Sequence, residues 1–236
     1  MIIFVNILIP IYIYIYMSII SLGYKCEIAK FLRGNDLRSV SYPLDWTITM
    51  SLSTINSILS DPDFTENYLE NINDIGINKK YIKYFGAGAN RANLLYISNN
   101  YNGLIFRHFD FLNDNIQYQT EKRRIVRFKN RLLQKKPIFF IRELHNGNVN
   151  ERLKQAGIIT HQLDDKKIDI LKNDIVNFFH ILKTQYNRTD DIILIITDKK
   201  KIIKLSKLRQ HIVCKNTYFS NNITRGLIKQ ITNKHF

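Results

Sequence analysis

The sequence predicts an α/β fold: a mainly parallel sheet with helices on both faces, in a single compact domain. Three observations carry this expectation. Short apolar runs rich in β-branched and aromatic residues stand at 17–22, 138–141 and 192–196, the pattern of strands buried on both faces. Two longer segments, 120–134 and 168–186, carry apolar residues at helical spacing, and each precedes one of those strands. Helices between strands imply crossover connections, which set neighbouring strands parallel. A chain of 236 residues, 45% of them hydrophobic, is long enough to bury such a core.

Each element has its own local warrant. Met17 to Leu22 reads as a strand, Gly23 as a turn, and Glu27 to Leu32 as the first turns of a helix. Ser51 to Leu59 places apolar residues at 52, 55, 58 and 59 on one helix face, and Asp61-Pro62-Asp63 ends it. Phe64 to Asn93 is polar and irregular, with Gly86-Ala87-Gly88 as loop punctuation. No third Gly or Gly-Lys-Ser follows that triplet, so it does not read as a phosphate cradle. Gly103 to Phe106 is a short strand ending at Arg107-His108. Thr120 to Gln134 sets Ile125, Phe128, Leu132 and Leu133 on one helix face, and Pro137 opens the strand Ile138 to Ile141. Glu151 to Ala156 reads as a short helix closed by Gly157, with Ile158-Ile159 as a short strand. Ile168 to Tyr186 repeats apolar residues at 168, 171, 175, 178, 179 and 182, and Ile192 to Ile196 is the last strand of the pattern.

The chemistry-bearing residues gather near strand ends. Cys26 falls where a strand gives way to a helix. Backbone N–H groups and the dipole favour an anion at a helix N-terminus, and the thiolate is the reactive form of a thiol. The competing reading of Cys26 is a small buried hydrophobe. Thiol chemistry also needs a base within about 3 Å of the sulfur and a group that orients the base. His108 is the candidate base and His145 its rival, since both follow strand ends; His161, His180 and His211 stand in a helix or in polar stretches. Asp45, between Leu44 and Trp46, is the candidate orienter, with a helix N-cap as the alternative. Arg142, directly after an apolar run, suits either a bidentate clamp on a carboxylate or phosphate or a salt bridge with Glu143 or Asp110. Parallel sheets bind ligands beyond the carboxyl ends of their strands, where Ser21–Gly23, Arg107-His108, Arg142-Glu143 and Thr197-Asp198 would fall.

Several of these segments occur together in one known family. Ser21-Leu22-Gly23 with Cys26-Glu27, then Tyr42-Pro43-Leu44-Asp45-Trp46, then Ile105 to Phe111, in this order, resemble a family of unknown function labelled "putative papain-like cysteine peptidase". The basic stretch Lys122 to Phe128 and the run Ile138 to Arg142 also look like that family, so the likeness runs from about Met17 to about Thr197. It departs from the family pattern at Leu44, where Phe is more frequent, and in the order His108-Phe109-Asp110. The resemblance implies a thiol-dependent hydrolase or acyl transferase, with Cys26 as nucleophile and His108 as base, acting on an acyl or amide substrate, peptide or glycan-linked.

Composition bounds the rest. The formal net charge of +15 would invite a nucleic-acid reading, but the chain is rich in Ile, Asn, Lys and Tyr, the signature of AT-rich coding. No helix-turn-helix, zinc-ligand spacing or aromatic RNA-binding pattern is present, so no sequence-specific nucleic acid is expected. The basic residues from Lys122 to Lys136 read first as a solvated helix face and second as a phosphate-binding one. Two Cys and four Pro give no disulfide scaffold and suit a reducing compartment, the cytoplasm. His211 and Cys214 lack a partner pair, so no metal is expected, and no cofactor is implied. Residues 1–16 are apolar but short for a span and interrupted by Asn6 and Pro10, and they read as an extension outside the fold; a membrane partner follows only if they are an authentic anchor. The expected organisation is thus 1–16 as extension, 17–198 as the α/β domain and 199–236 as a basic C-terminal segment. The second reading of the whole is a non-catalytic or group-transfer Rossmann-like protein holding an anionic ligand, such as a sugar nucleotide, through Arg142.

Overall fold

The computed structural model describes residues 18–23, 26–74, 95–107, 110, 114–144, 168–197 and 212–216. In chain order the strands are β1 (Ser18–Ser21), β2 (Thr47–Thr49), β3 (Ile72–Asp74), β4 (Leu95–Ser98), β5 (Leu104–Arg107), β6 (Ile138–Leu144), β7 (Ile192–Thr197) and β8 (Ile212–Asn216). The helices are α1 (Glu27–Gly34), α2 (Leu52–Ser60), α3 (Phe64–Asn67), α4 (Asn115–Leu133) and α5 (Ile168–Tyr186), with a 3₁₀ turn at Pro43–Trp46. The expected extension 1–16, the Gly86–Gly88 loop, the helix at 151–156 and the strand at 158–159 lie outside the described residues.

The three apolar runs form one parallel sheet, as expected. Its order is β1-β6-β7-β8, with Ile20 opposite Phe140 and Ile141 opposite Leu194. Ile138 to Ile141 are all buried, which is why that run is apolar without alternation. The fourth strand, β8, comes from the C-terminal segment and pairs parallel to β7.

The expectation of a mainly parallel fold holds for only half of the described strands. A second four-stranded sheet, order β2-β5-β4-β3, is antiparallel throughout. The run at 104–107 belongs to this sheet, so Arg107 does not stand at the carboxyl edge of the parallel one. Strands of three or four residues are too short to display the alternation that marks a half-buried strand. The β4–β5 connection is local: Tyr101 N–H donates to Ser98 Oγ at 3.1 Å, and Gly103 adopts φ 84°. So short a loop joins antiparallel neighbours and leaves no room for a crossover.

One apolar core spans both sheets. It joins Ile20, Leu22 and Phe140 to Tyr96, Leu104 and Phe106, and includes Ile125, Phe128 and Leu132 of α4. Leu133, expected on the same face of α4, is 61% exposed, because one residue further turns the side chain through about 100°. Helices α2 and α5 pack together, with Asn56 Nδ2 donating to the Asp174 carbonyl at 2.9 Å and Tyr186 Oη to that of Leu59 at 2.8 Å. At the amino ends of β1 and β6 two arginines replace solvent as partners. Arg131 Nε donates to Ser18 Oγ at 2.6 Å, and Arg188 forks onto Asp191 while bonding the carbonyls of Leu132 and Lys136.

Candidate functional site

The site begins where β1 leaves its sheet. Leu22 N–H still bonds the Ile141 carbonyl at 2.9 Å, and the chain then turns at Gly23, whose φ is 79°. That left-handed conformation favours glycine, and the space also demands it: a Cβ at Gly23 would lie 2.6 Å from Thr49 Oγ1. Cys26 follows as the N-cap of α1, and its carbonyl accepts the Lys30 N–H at 2.9 Å. The thiol makes no capping hydrogen bond and is partly exposed. Cys26 therefore stands at a helix N-terminus beyond the carboxyl end of a parallel strand, as the sequence pattern predicts.

Behind this turn lies a buried polar knot that sequence reasoning missed. Thr49 Oγ1 donates to the Leu22 carbonyl at 2.8 Å, and Arg142 Nη1 donates to the same carbonyl at 3.0 Å. Arg142 also bonds Thr49 twice, through Nη1 to Oγ1 and through Nη2 to the carbonyl at 2.9 Å. Both residues are fully buried. Arg142, expected either to clamp an anion or to pair with Glu143 or Asp110, thus joins two protein segments through these bonds. The available signal was the Thr47-Ile48-Thr49 pattern, which puts both hydroxyls on one face of a strand.

Asp45 is the third residue of the 3₁₀ turn and fully buried. It is not an N-cap; Ser51 caps the helix that follows, its Oγ accepting the Thr54 N–H at 3.2 Å. Asp45 Oδ2 accepts the Tyr42 N–H at 2.8 Å and pairs with Arg38, while Oδ1 has no hydrogen-bond partner among the described residues. Burial raises its pKa, and Arg38 opposes that shift. Glu121 of α4 is buried too, bonded by Arg124 at 2.9 Å, and burial pushes its carboxyl up to about 8 against the pull of Arg124. The charge on Asp45 adds to that rise, so the two carboxylates sense each other.

His108, the expected base, and its rival His145 lie outside the described residues, as do His161 and His211. His180 is exposed on α5. Asp110 accepts a hydrogen bond from Tyr96 Oη at 3.0 Å, and its N–H donates to Gln117 Oε1 at 3.0 Å. Among the described residues no group of three or more His, Cys, Asp or Glu side chains is placed to hold a metal.

In comparisons with curated proteins and with solved structures, nothing matched the chain. A family model did: the one described as "Putative papain-like cysteine peptidase (DUF1796)" matches residues 17–182. The match starts at the strand that leads to Cys26, takes in Asp45, Thr49 and Arg142, and ends in the last turns of α5. It covers well over half of the sequence, and the chain belongs to this family.

Proposed function

We propose that the protein is a thiol-dependent hydrolase or acyl transferase in which Cys26 is the nucleophile, His108 the general base and Asp45 the carboxylate that orients it. The observation that carries this reading is the place of Cys26, a partly exposed N-cap beyond the carboxyl end of β1, inside the family match. Strand pairing supports the other two assignments. Thr47 lies opposite Phe106, so β5 ends at Arg107 beside the turn that carries Asp45, one residue before His108. Asp45 Oδ1 has no partner among the described residues, and an imidazole N–H would satisfy it.

In this mechanism His108 takes the Cys26 proton, and the thiolate sulfur bonds to the acyl carbon of a peptide or other amide. The bond to the leaving amine breaks as the imidazolium gives that amine its proton. Water, or an acceptor amine or alcohol, then attacks the thioester with His108 as base and releases Cys26. A reducing compartment such as the cytoplasm suits the free thiol.

A panel of fluorogenic peptide amides and thioesters tests the reading. Turnover should vanish in Cys26→Ala and fall by about a hundredfold or more in His108→Ala, while His145→Ala stays near wild type. Loss in His145→Ala with His108→Ala unaffected would move the base to His145. Turnover that survives Cys26→Ala would remove Cys26 as the nucleophile, and a wild-type protein that turns over none of the panel would favour the competing reading, an anion-binding protein in which Cys26 only packs.

A further inference from the structure

We infer that Thr49 and Arg142 are positioning residues for the Cys26 thiol, holding from two different sheets the turn that delivers it. The inference rests on the thiol reading above and extends it to residues outside the reacting set.

The geometry has three parts. Thr49 ends β2 of the antiparallel sheet, Arg142 lies within β6 of the parallel sheet, and both donate to the carbonyl of Leu22. That carbonyl belongs to the peptide joining Leu22 to Gly23, the group that must turn for the chain to leave β1 and enter α1. Two donors on one carbonyl oppose rotation of that peptide, and the two donors are tied to each other. On the far side of the same bond, Gly23 leaves no room for a Cβ against Thr49 Oγ1, so hydroxyl and turn are fitted face to face.

The chemistry of the pair argues against simple filling. A hydroxyl and a guanidinium that are fully buried require hydrogen-bond partners, and valine with an aliphatic neighbour would fill comparable space without that requirement. Four bonds tie this pair to each other and to the turn three to four residues before Cys26. Thiol reactivity depends on where the sulfur sits relative to its base, and a displacement of about 1 Å can cost about a hundredfold. The Leu22–Gly23 peptide is where such a displacement would start.

The test is the rate of Cys26 alkylation by iodoacetamide in the native protein, well below the unfolding temperature, read by mass spectrometry at Cys26. Thr49→Val keeps the shape and removes the hydroxyl, and it should slow labelling about tenfold. Thr49→Ser restores the hydroxyl and should label within about twofold of wild type. Arg142→Lys keeps the charge but loses the fork, and it should slow labelling as well, providing a second route if Thr49→Val folds poorly. Ile55→Val, a core change in α2, serves as the stability control: it should lower the melting temperature and leave the rate unchanged. Unchanged or faster labelling in both Thr49→Val and Arg142→Lys overturns the inference, and so does slowing that Ile55→Val reproduces at equal loss of stability. If wild-type Cys26 resists labelling until the protein unfolds, the thiol reading itself fails and this inference falls with it. Wild-type labelling that ignores Thr49 and Arg142 removes the inference alone.

Discussion

Gly23 and Glu121 show how single residues are constrained in this fold. At Gly23 a left-handed φ and contact with Thr49 act together, so Gly23→Ala is expected to lose about 2–3 kcal/mol in urea denaturation, more than either constraint alone would cost. A loss below about 0.5 kcal/mol would mean that the turn relaxes freely. Glu121 makes stability depend on pH. Burial raises its folded-state pKa from 4.5 to about 8, so the folded protein keeps a proton that the unfolded chain releases. The stability linked to this group is fully present below the unfolded value and is lost as pH rises through the folded one. Asp45, also raised by burial, acts in the same direction. Stability should therefore decline between about pH 5 and pH 8, and Glu121→Gln should flatten that decline and exceed wild type at the alkaline end. Denaturation curves that are parallel for the two proteins across this range would remove Glu121 from the account.

At the scale of elements, helix α4 is anchored by what its charged residues do at its end. Its basic sequence reads as a solvated face, and Lys122 and Arg123 are indeed exposed. Arg131 is buried instead, bonding the Lys136 and Pro137 carbonyls at 3.0 and 2.9 Å, and Arg188 reaches the same segment from beyond α5. Asp191 completes the unit by pairing with Arg188 and accepting the Ile138 N–H at 2.8 Å. Arg188→Ala leaves Asp191 buried without its partner and should cost about 3–5 kcal/mol. Arg188→Lys should recover only part of that, because an ammonium cannot reproduce the fork. By contrast Ser51→Ala, at an ordinary N-cap, should cost about 1 kcal/mol. Equal losses in Arg188→Ala and Ser51→Ala would show that the arginine unit is no more than a cap.

For the whole molecule the decisive element is β1. It is the edge strand of the parallel sheet, buries Ile19 and Ile20, and leads to Cys26. Removing residues 1–22 takes this strand away and uncovers one edge of β6, so that chain should unfold or aggregate. Removing residues 1–16 spares β1, and that chain should keep the melting temperature of the full sequence. A fall of several degrees in the second chain would make the apolar extension part of the fold. Among the described residues no helix is long and apolar enough to cross a membrane.

Elements long enough to show their period are legible in the chain alone. Helix α5 matches the apolar spacing at Ile168–Tyr186, β6 and β7 follow from continuous apolar runs, and Cys26 falls at the start of a helix because a strand, a glycine and a helical pattern succeed one another there. The antiparallel sheet is not legible along the chain, since its strands are short and two of its three pairings, β2 with β5 and β3 with β4, join segments separated in sequence. The same limit hid the knot behind Cys26. Leu22, Thr49 and Arg142 are separated by 27 and 93 residues along the chain, and no local pattern announces that a hydroxyl and a guanidinium will close on one carbonyl. Spacing along the chain records which face a residue takes; which partner it meets there is set by how the two sheets pack.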